Sequence, residues 1–88
     1  MGSYNVQIKK SALKELEAVS TKADRHRIVR RIQSLSDNPR PVGVQKLSGY
    51  ERYRLRQGRY RILYTIQDRE LTVYVIRIAD RKKVYRDL

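Results

Sequence analysis

Residues 4–9 alternate, with Tyr4, Val6 and Ile8 set against Asn5, Gln7 and Lys9. That period of two predicts a half-buried strand. The period then lengthens. Ser11 is a suitable N-cap for a helix carrying Ala12, Leu13, Leu16 and Val19. Ser20-Thr21 interrupts it, and a second helix starting at Asp24 carries the apolar stripe Ile28, Val29, Ile32 and Leu35. Asn38-Pro39-Arg40-Pro41 stops it, because the residue before a proline is pushed out of the helical region. Arg25, Arg27, Arg30 and Arg31 give this helical hairpin a cationic outer face.

A loop over residues 42–50, with Gly43 and Gly49, leads to three strand-like runs. The first, Arg52 to Gln57, alternates arginines with Tyr53 and Leu55, and Gly58 makes a tight turn after it. The second, Tyr60 to Gln67, places Tyr60, Ile62, Tyr64 and Ile66 on one face and Arg61, Leu63 and Thr65 on the other. Asp68-Arg69 reads as a two-residue hairpin connection without the glycine such turns prefer. The third, Leu71 to Ile78, is apolar enough for a central strand buried on both faces. The pattern predicts an α+β fold: an N-terminal strand, a helical hairpin, then a three-stranded antiparallel meander. Both helices pack on one face of a single sheet. No repeat or linker divides the chain, so residues 1–88 are expected to form a single domain.

Composition narrows the function. Lysine and arginine number 21 against 9 aspartates and glutamates, a net charge of +12. Through Gly49 there are ten basic and four acidic residues, and after it eleven and five, so each half carries +6. The charge therefore belongs to the folded body and not to a tail. A surface that repels itself this strongly points to a polyanionic partner, nucleic acid or an acidic protein. There is no cysteine, which excludes disulfides and thiolate metal sites. No run approaches the roughly 18 apolar residues a membrane span needs. MGSYNV lacks a signal-peptide pattern, and Val6 stands where a myristoylation signal has Ser or Thr, so a cytoplasmic location is expected.

Several chemistries drop out. His26 is the single histidine, Glu15 and Glu17 face different sides of a helix, and Asp68 and Glu70 flank a turn. Gly49 and Gly58 stand alone, with no phosphate-cradling glycine loop, and Ser48 has no histidine base. Catalysis here has to run on Arg, Lys and Tyr. Arg52, Arg54 and Arg56 share one strand face, opposite Tyr53 and Leu55, and Arg61 joins that face from the next strand. The segment ADRKKVYR, residues 79–86, brings Arg81, Lys82 and Lys83 towards its rim. Of seven tyrosines, Tyr60, Tyr64 and Tyr74 lie inside strands and read as core or boundary residues. Tyr85 lies among Lys82, Lys83 and Arg86, where a ring can stack on a base or a hydroxyl meet a phosphate. On residue types alone, ADRKKVYR fits a solvated helical tail equally well.

The stretches SALKEL, NPRP, KLSG, GRYRILYTIQD and VIRIADRKKVYR, spread over nearly the whole chain, resemble a RelE-family toxin of the RelE/ParE toxin–antitoxin superfamily. The last two are the specific pieces. The resemblance implies a metal-independent endoribonuclease with no cofactor. Its implied action is cleavage of mRNA in the ribosomal A site, held in check by a cognate antitoxin. It also implies catalytic roles for Arg61, Arg81 and Tyr85, with Lys46, Arg54, Arg56, Lys82 and Lys83 binding RNA. Three positions depart from the family. Asp80 stands where many relatives have histidine, and Arg54 and Arg56 replace the lysines of RelE itself. Two other readings share the scaffold: a ParE-like toxin that binds DNA gyrase, and a non-catalytic RNA-binding domain. An acidic, partly disordered antitoxin segment suits the cationic surface.

Overall fold

A computed structural model describes residues 3–47 and 51–80. The strand β1 (Asn5–Ile8) leads into α1 (Lys10–Glu17) and α2 (Lys22–Ser34), followed by β2 (Gln45–Lys46), β3 (Arg52–Gln57), β4 (Tyr60–Gln67) and β5 (Thr72–Asp80). The strands form one sheet in the order β1-β5-β4-β3-β2. β3, β4 and β5 make the antiparallel meander, and β1 joins β5 in parallel, Val6 opposite Val73. Both helices pack on the same face. The core there joins Ala12, Leu16 and Val19 with Ile28, Ile32 and Leu35, over Tyr53, Leu55, Ile62, Tyr64, Ile66, Val73, Val75 and Ile78. No helix among the described residues is long and apolar enough to cross a membrane.

The sheet and its helical layer follow the periodicity, while several boundaries move. Ser11 does not cap α1, whose N-cap is Lys9 with no side-chain bond. The Lys9 N–H still donates to Val75 O (2.8 Å), so the chain passes directly from β1 into the helix. Thr21, not a breaker, is the N-cap of α2: its Oγ1 accepts from the Asp24 N–H (3.2 Å), and the helix opens at Lys22. β2 is a two-residue strand inside the stretch expected to be loop, paired through Gln45 with Arg54 and Lys46 with Tyr53.

The β4–β5 connection is four residues long, because Gln67 pairs with Thr72. A two-residue turn needs a positive φ that neither Asp68 nor Arg69 supplies. Leu71 takes it instead (φ +49°), and its N–H closes the turn on Asp68 O (3.2 Å). Gly58 (φ +58°) opens the tight β3–β4 turn as expected. β5 runs on to Asp80. It is buried on its helix side through Val73, Val75 and Ile78 but only half-buried at Thr72, Tyr74 and Arg77, so it is not sealed on both faces.

Two polar devices fasten the periphery. Arg40 donates two hydrogen bonds to Asp68 (3.2 and 2.9 Å) and one to the Tyr53 hydroxyl (3.3 Å), and the Tyr4 hydroxyl donates to Asp68 (2.7 Å). The loop after α2 is thereby tied to the β4–β5 turn. The buried Tyr64 stacks on Tyr53, with ring centroids 5.8 Å apart, and donates to Pro39 O (2.7 Å). At the other end β1 stops at Ile8, which leaves the outer edge of β5 unpaired beyond Val75. Glu15 of α1 closes that edge. It accepts from the Ile78 N–H (2.9 Å) and pairs with Arg77 Nε (3.5 Å).

Candidate anion-binding cleft

β3 alternates strictly, and its register with β4 sets Arg54 opposite Leu63 and Arg56 directly opposite Arg61. Tyr53 and Leu55 point under the helices and are buried, so the arginines occupy the other face. β2 pairs only with Tyr53 and Arg54, which leaves the outer edge of β3 uncovered from Leu55 onward. A cleft of about 360 Å³ opens there, lined by Arg31, Gly43, Gln45, Arg54, Leu55, Arg56 and Arg61. No aspartate or glutamate is among those residues. Arg54 donates to the neutral Gln45 Oε1 (2.5 Å), which brings no opposite charge to it.

Like charges directly opposite each other across a ladder are destabilising. Arg56 and Arg61 are such a pair, and a third guanidinium stands one repeat away. An anion between them turns repulsion into bidentate, charge-assisted hydrogen bonding. A phosphate or a comparable oxyanion has the charge and the acceptors that such a lining lacks. Among the described residues no three His, Asp or Glu side chains gather as a metal site requires.

Of the residues singled out from sequence, Arg54, Arg56 and Arg61 come together. Lys46 does not join them. Its register partner is Tyr53, and its ammonium pairs with Glu51 (3.4 Å), while its neighbour Gln45 lines the cleft instead. Arg81, Lys82, Lys83 and Tyr85 lie outside the described residues. Asp80 sits opposite Tyr60, one position along from the Ala79–Arg61 pair, and so faces away from the arginine cleft. It pairs with Arg59 (2.6 Å), raising the Arg59 pKa, and lines a separate hollow with Glu15, Val19 and Tyr60. The Asp80 carboxylate thus has a structural partner in Arg59 and lies on the face away from Arg61.

Arg31 was missed as a cleft residue. The run of arginines places it on the outer face of α2, but it immediately precedes Ile32 and follows Ile28 by three, at the border of the buried stripe. That position carries its guanidinium to the sheet edge.

Comparison with known proteins bears on the whole chain. The profile of the ParE toxin of type II toxin–antitoxin systems, parDE, matches residues 6–85. No curated protein sequence matches. Among solved structures, a chain of the archaeal RelE–RelB complex from Pyrococcus horikoshii OT3 is 27% identical with a TM-score of 0.82, covering 93% of this chain and 99% of that one. A chain of the toxin–antitoxin complex RelBE2 from Mycobacterium tuberculosis is 26% identical with a TM-score of 0.78, covering 90% and 99%. The isolated E. coli RelE toxin, 24% identical over 88% of this chain and 83% of its own, shares the fold with a TM-score of 0.76. A family match over nearly the full length, on a scaffold shared with RelE toxins, settles the assignment: the chain belongs to the ParE toxin family of type II toxin–antitoxin systems, within the RelE/ParE superfamily.

Proposed function

We propose that this toxin is a ribosome-dependent endoribonuclease that cleaves mRNA in the A site. The observation that carries the reading is the acid-free cleft in which Arg56 faces Arg61 beside Arg54. In the proposed reaction the 2′-hydroxyl attacks the adjacent phosphorus and the bond to the 5′-oxygen breaks. The 2′-hydroxyl proton is lost, the departing oxygen gains one, and a 2′,3′-cyclic phosphate remains. Negative charge spreads over the phosphoryl oxygens, and Arg61 with Arg54 or Arg56 stabilises it from preorganised positions. Tyr85 orients or deprotonates the 2′-hydroxyl, and Arg81 assists the leaving oxygen. Arginine, with a pKa above about 12, is a poor acid at neutral pH, so the protein alone cleaves free RNA slowly. Holding the strand in line on the ribosome supplies the remainder, since positioning is worth about 7–11 kcal/mol.

The partner proposed is a cognate antitoxin, as in the RelE–RelB complexes the fold resembles. An acidic segment that folds on contact would neutralise the cationic face. A second reading, a toxin that binds DNA gyrase without cutting RNA, is favoured by the family profile being that of ParE. Mapping mRNA 5′ ends after brief expression separates them. New ends within codons, lost in Arg61→Ala, Arg81→Ala and Tyr85→Ala proteins that remain folded, support the nuclease. Intact mRNA with arrested replication selects the gyrase reading.

A further inference from the structure

Arg31 is the one cleft residue supplied by the helical layer, and its Nε is buried with no hydrogen-bond partner among the described residues. A buried guanidinium donor without an acceptor is costly and calls for a ligand oxygen. The other three guanidiniums of the lining, Arg54, Arg56 and Arg61, come from the sheet, on β3 and β4. A phosphodiester offers two non-bridging oxygens, and the four N–H groups of two bidentate guanidiniums already occupy most of their accepting capacity. Arg56 and Arg61 alone meet that number, so the Arg31 donor needs an acceptor of its own. At about 360 Å³ the cleft reaches the range of ordinary ligand pockets, roughly 300–1,000 Å³, and exceeds what one phosphate fills. Beyond Arg31 the surface continues into a shallower hollow lined by Arg27, Arg30, Ser34 and Gln57, again with no acid in its lining.

We infer that the cleft holds two successive phosphates of one RNA strand, the Arg56–Arg61 pair taking one and Arg31 the neighbouring phosphate on the side of α2. This rests on the nuclease reading for the identity of the strand, but the subsite itself follows from the cleft. Arg31 is then a substrate ligand that sets strand direction across the sheet, and its loss raises KM for mRNA on the ribosome more than it lowers kcat.

The test uses the whole toxin and two uncleavable probes. One is a diribonucleotide with a 2′-deoxy first sugar, carrying a single phosphodiester; the other is the same molecule with a 5′-phosphate. Binding is followed by the Arg31 Nε–H resonance and by titration. The expected result is that Arg31→Gln weakens the two-phosphate probe about tenfold and leaves the one-phosphate probe unchanged, with Arg31→Lys intermediate. Loss of Arg61 weakens both. Equal effects of Arg31→Gln on the two probes, or none, overturn the inference while leaving the nuclease reading intact. If Arg31→Gln fails to fold, the wild-type resonance decides: a saturable shift with the two-phosphate probe alone supports the subsite, and no shift rejects it. A glutamate pentapeptide that moves the resonance at lower concentration assigns the donor to an acidic protein segment and also rejects it. Phosphate-dependent binding through Arg31 in a toxin that leaves ribosome-bound mRNA intact rejects the nuclease reading and keeps the subsite.

Discussion

Leu71 holds a positive φ of +49° with its side chain about half exposed. Left-handed backbone costs a branched residue about 1–2 kcal/mol, against about 0.5–1 for the extra freedom of glycine in the unfolded chain. Leu71→Gly should therefore stabilise the fold by about 0.5–1 kcal/mol, a rise in Tm of roughly 2–8 °C by calorimetry. An unchanged or lower Tm would mean that the leucine side chain compensates for its backbone. Asp68 is the second instructive residue. Hydrogen bonds from Arg40 and then Tyr4 hold its carboxyl below the ordinary carboxylate value. A depressed folded pKa gives stability that is complete above the unfolded value and is lost as pH falls through the folded one. Urea midpoints measured downward from pH 5 should fall more steeply for the native protein than for Asp68→Asn. Parallel curves would show that the Arg40–Asp68 pair, exposed on both sides, contributes nothing.

The joint between α1 and β5 depends on one side chain. Where β1 ends, Glu15 takes the place of the missing strand by accepting the Ile78 N–H and pairing with Arg77. Glu15→Ala leaves that amide without an acceptor, at a cost of about 1–3 kcal/mol. Hydrogen exchange at Ile78 should accelerate together with the loss of stability, while Glu15→Gln, which keeps the acceptor, recovers most of both. Unaltered exchange at Ile78 in the alanine variant would show that the edge is protected by something else. The end of β5 is also where Ala79 pairs with Arg61, so a frayed edge loosens one wall of the arginine cleft.

At the scale of the molecule, charge is the dominant fact. A net charge of +12 on 88 residues repels itself in the compact state. Screening lengths fall from about 30 Å at 0.01 M salt to about 3 Å at 1 M, so the thermal midpoint should rise as sodium chloride is added over that range. On the proposed reading of the cleft, phosphate at matched ionic strength should raise it further than chloride does. A midpoint indifferent to both would contradict the view that the cationic face awaits an anion.

Periodicity alone determined both helices and four of the five strands, and the inward face of each. The alternation in Arg52–Gln57, and in Tyr60–Gln67 apart from the buried Leu63, places Tyr53, Leu55, Ile62 and Tyr64 inward, which brings Arg54, Arg56 and Arg61 together on the other side. Boundaries were less legible because competing local bonds decide them: Lys9 stays tied to Val75, and Thr21 finds the Asp24 amide. Tertiary structure alone decided what meets across elements. Arg31 enters the cleft because α2 packs over the uncovered edge of β3, and Asp80 is turned away because its cross-strand partner is Tyr60. Such contacts depend on how layers pack and where strands stop, and the pattern within any one segment carries no record of either.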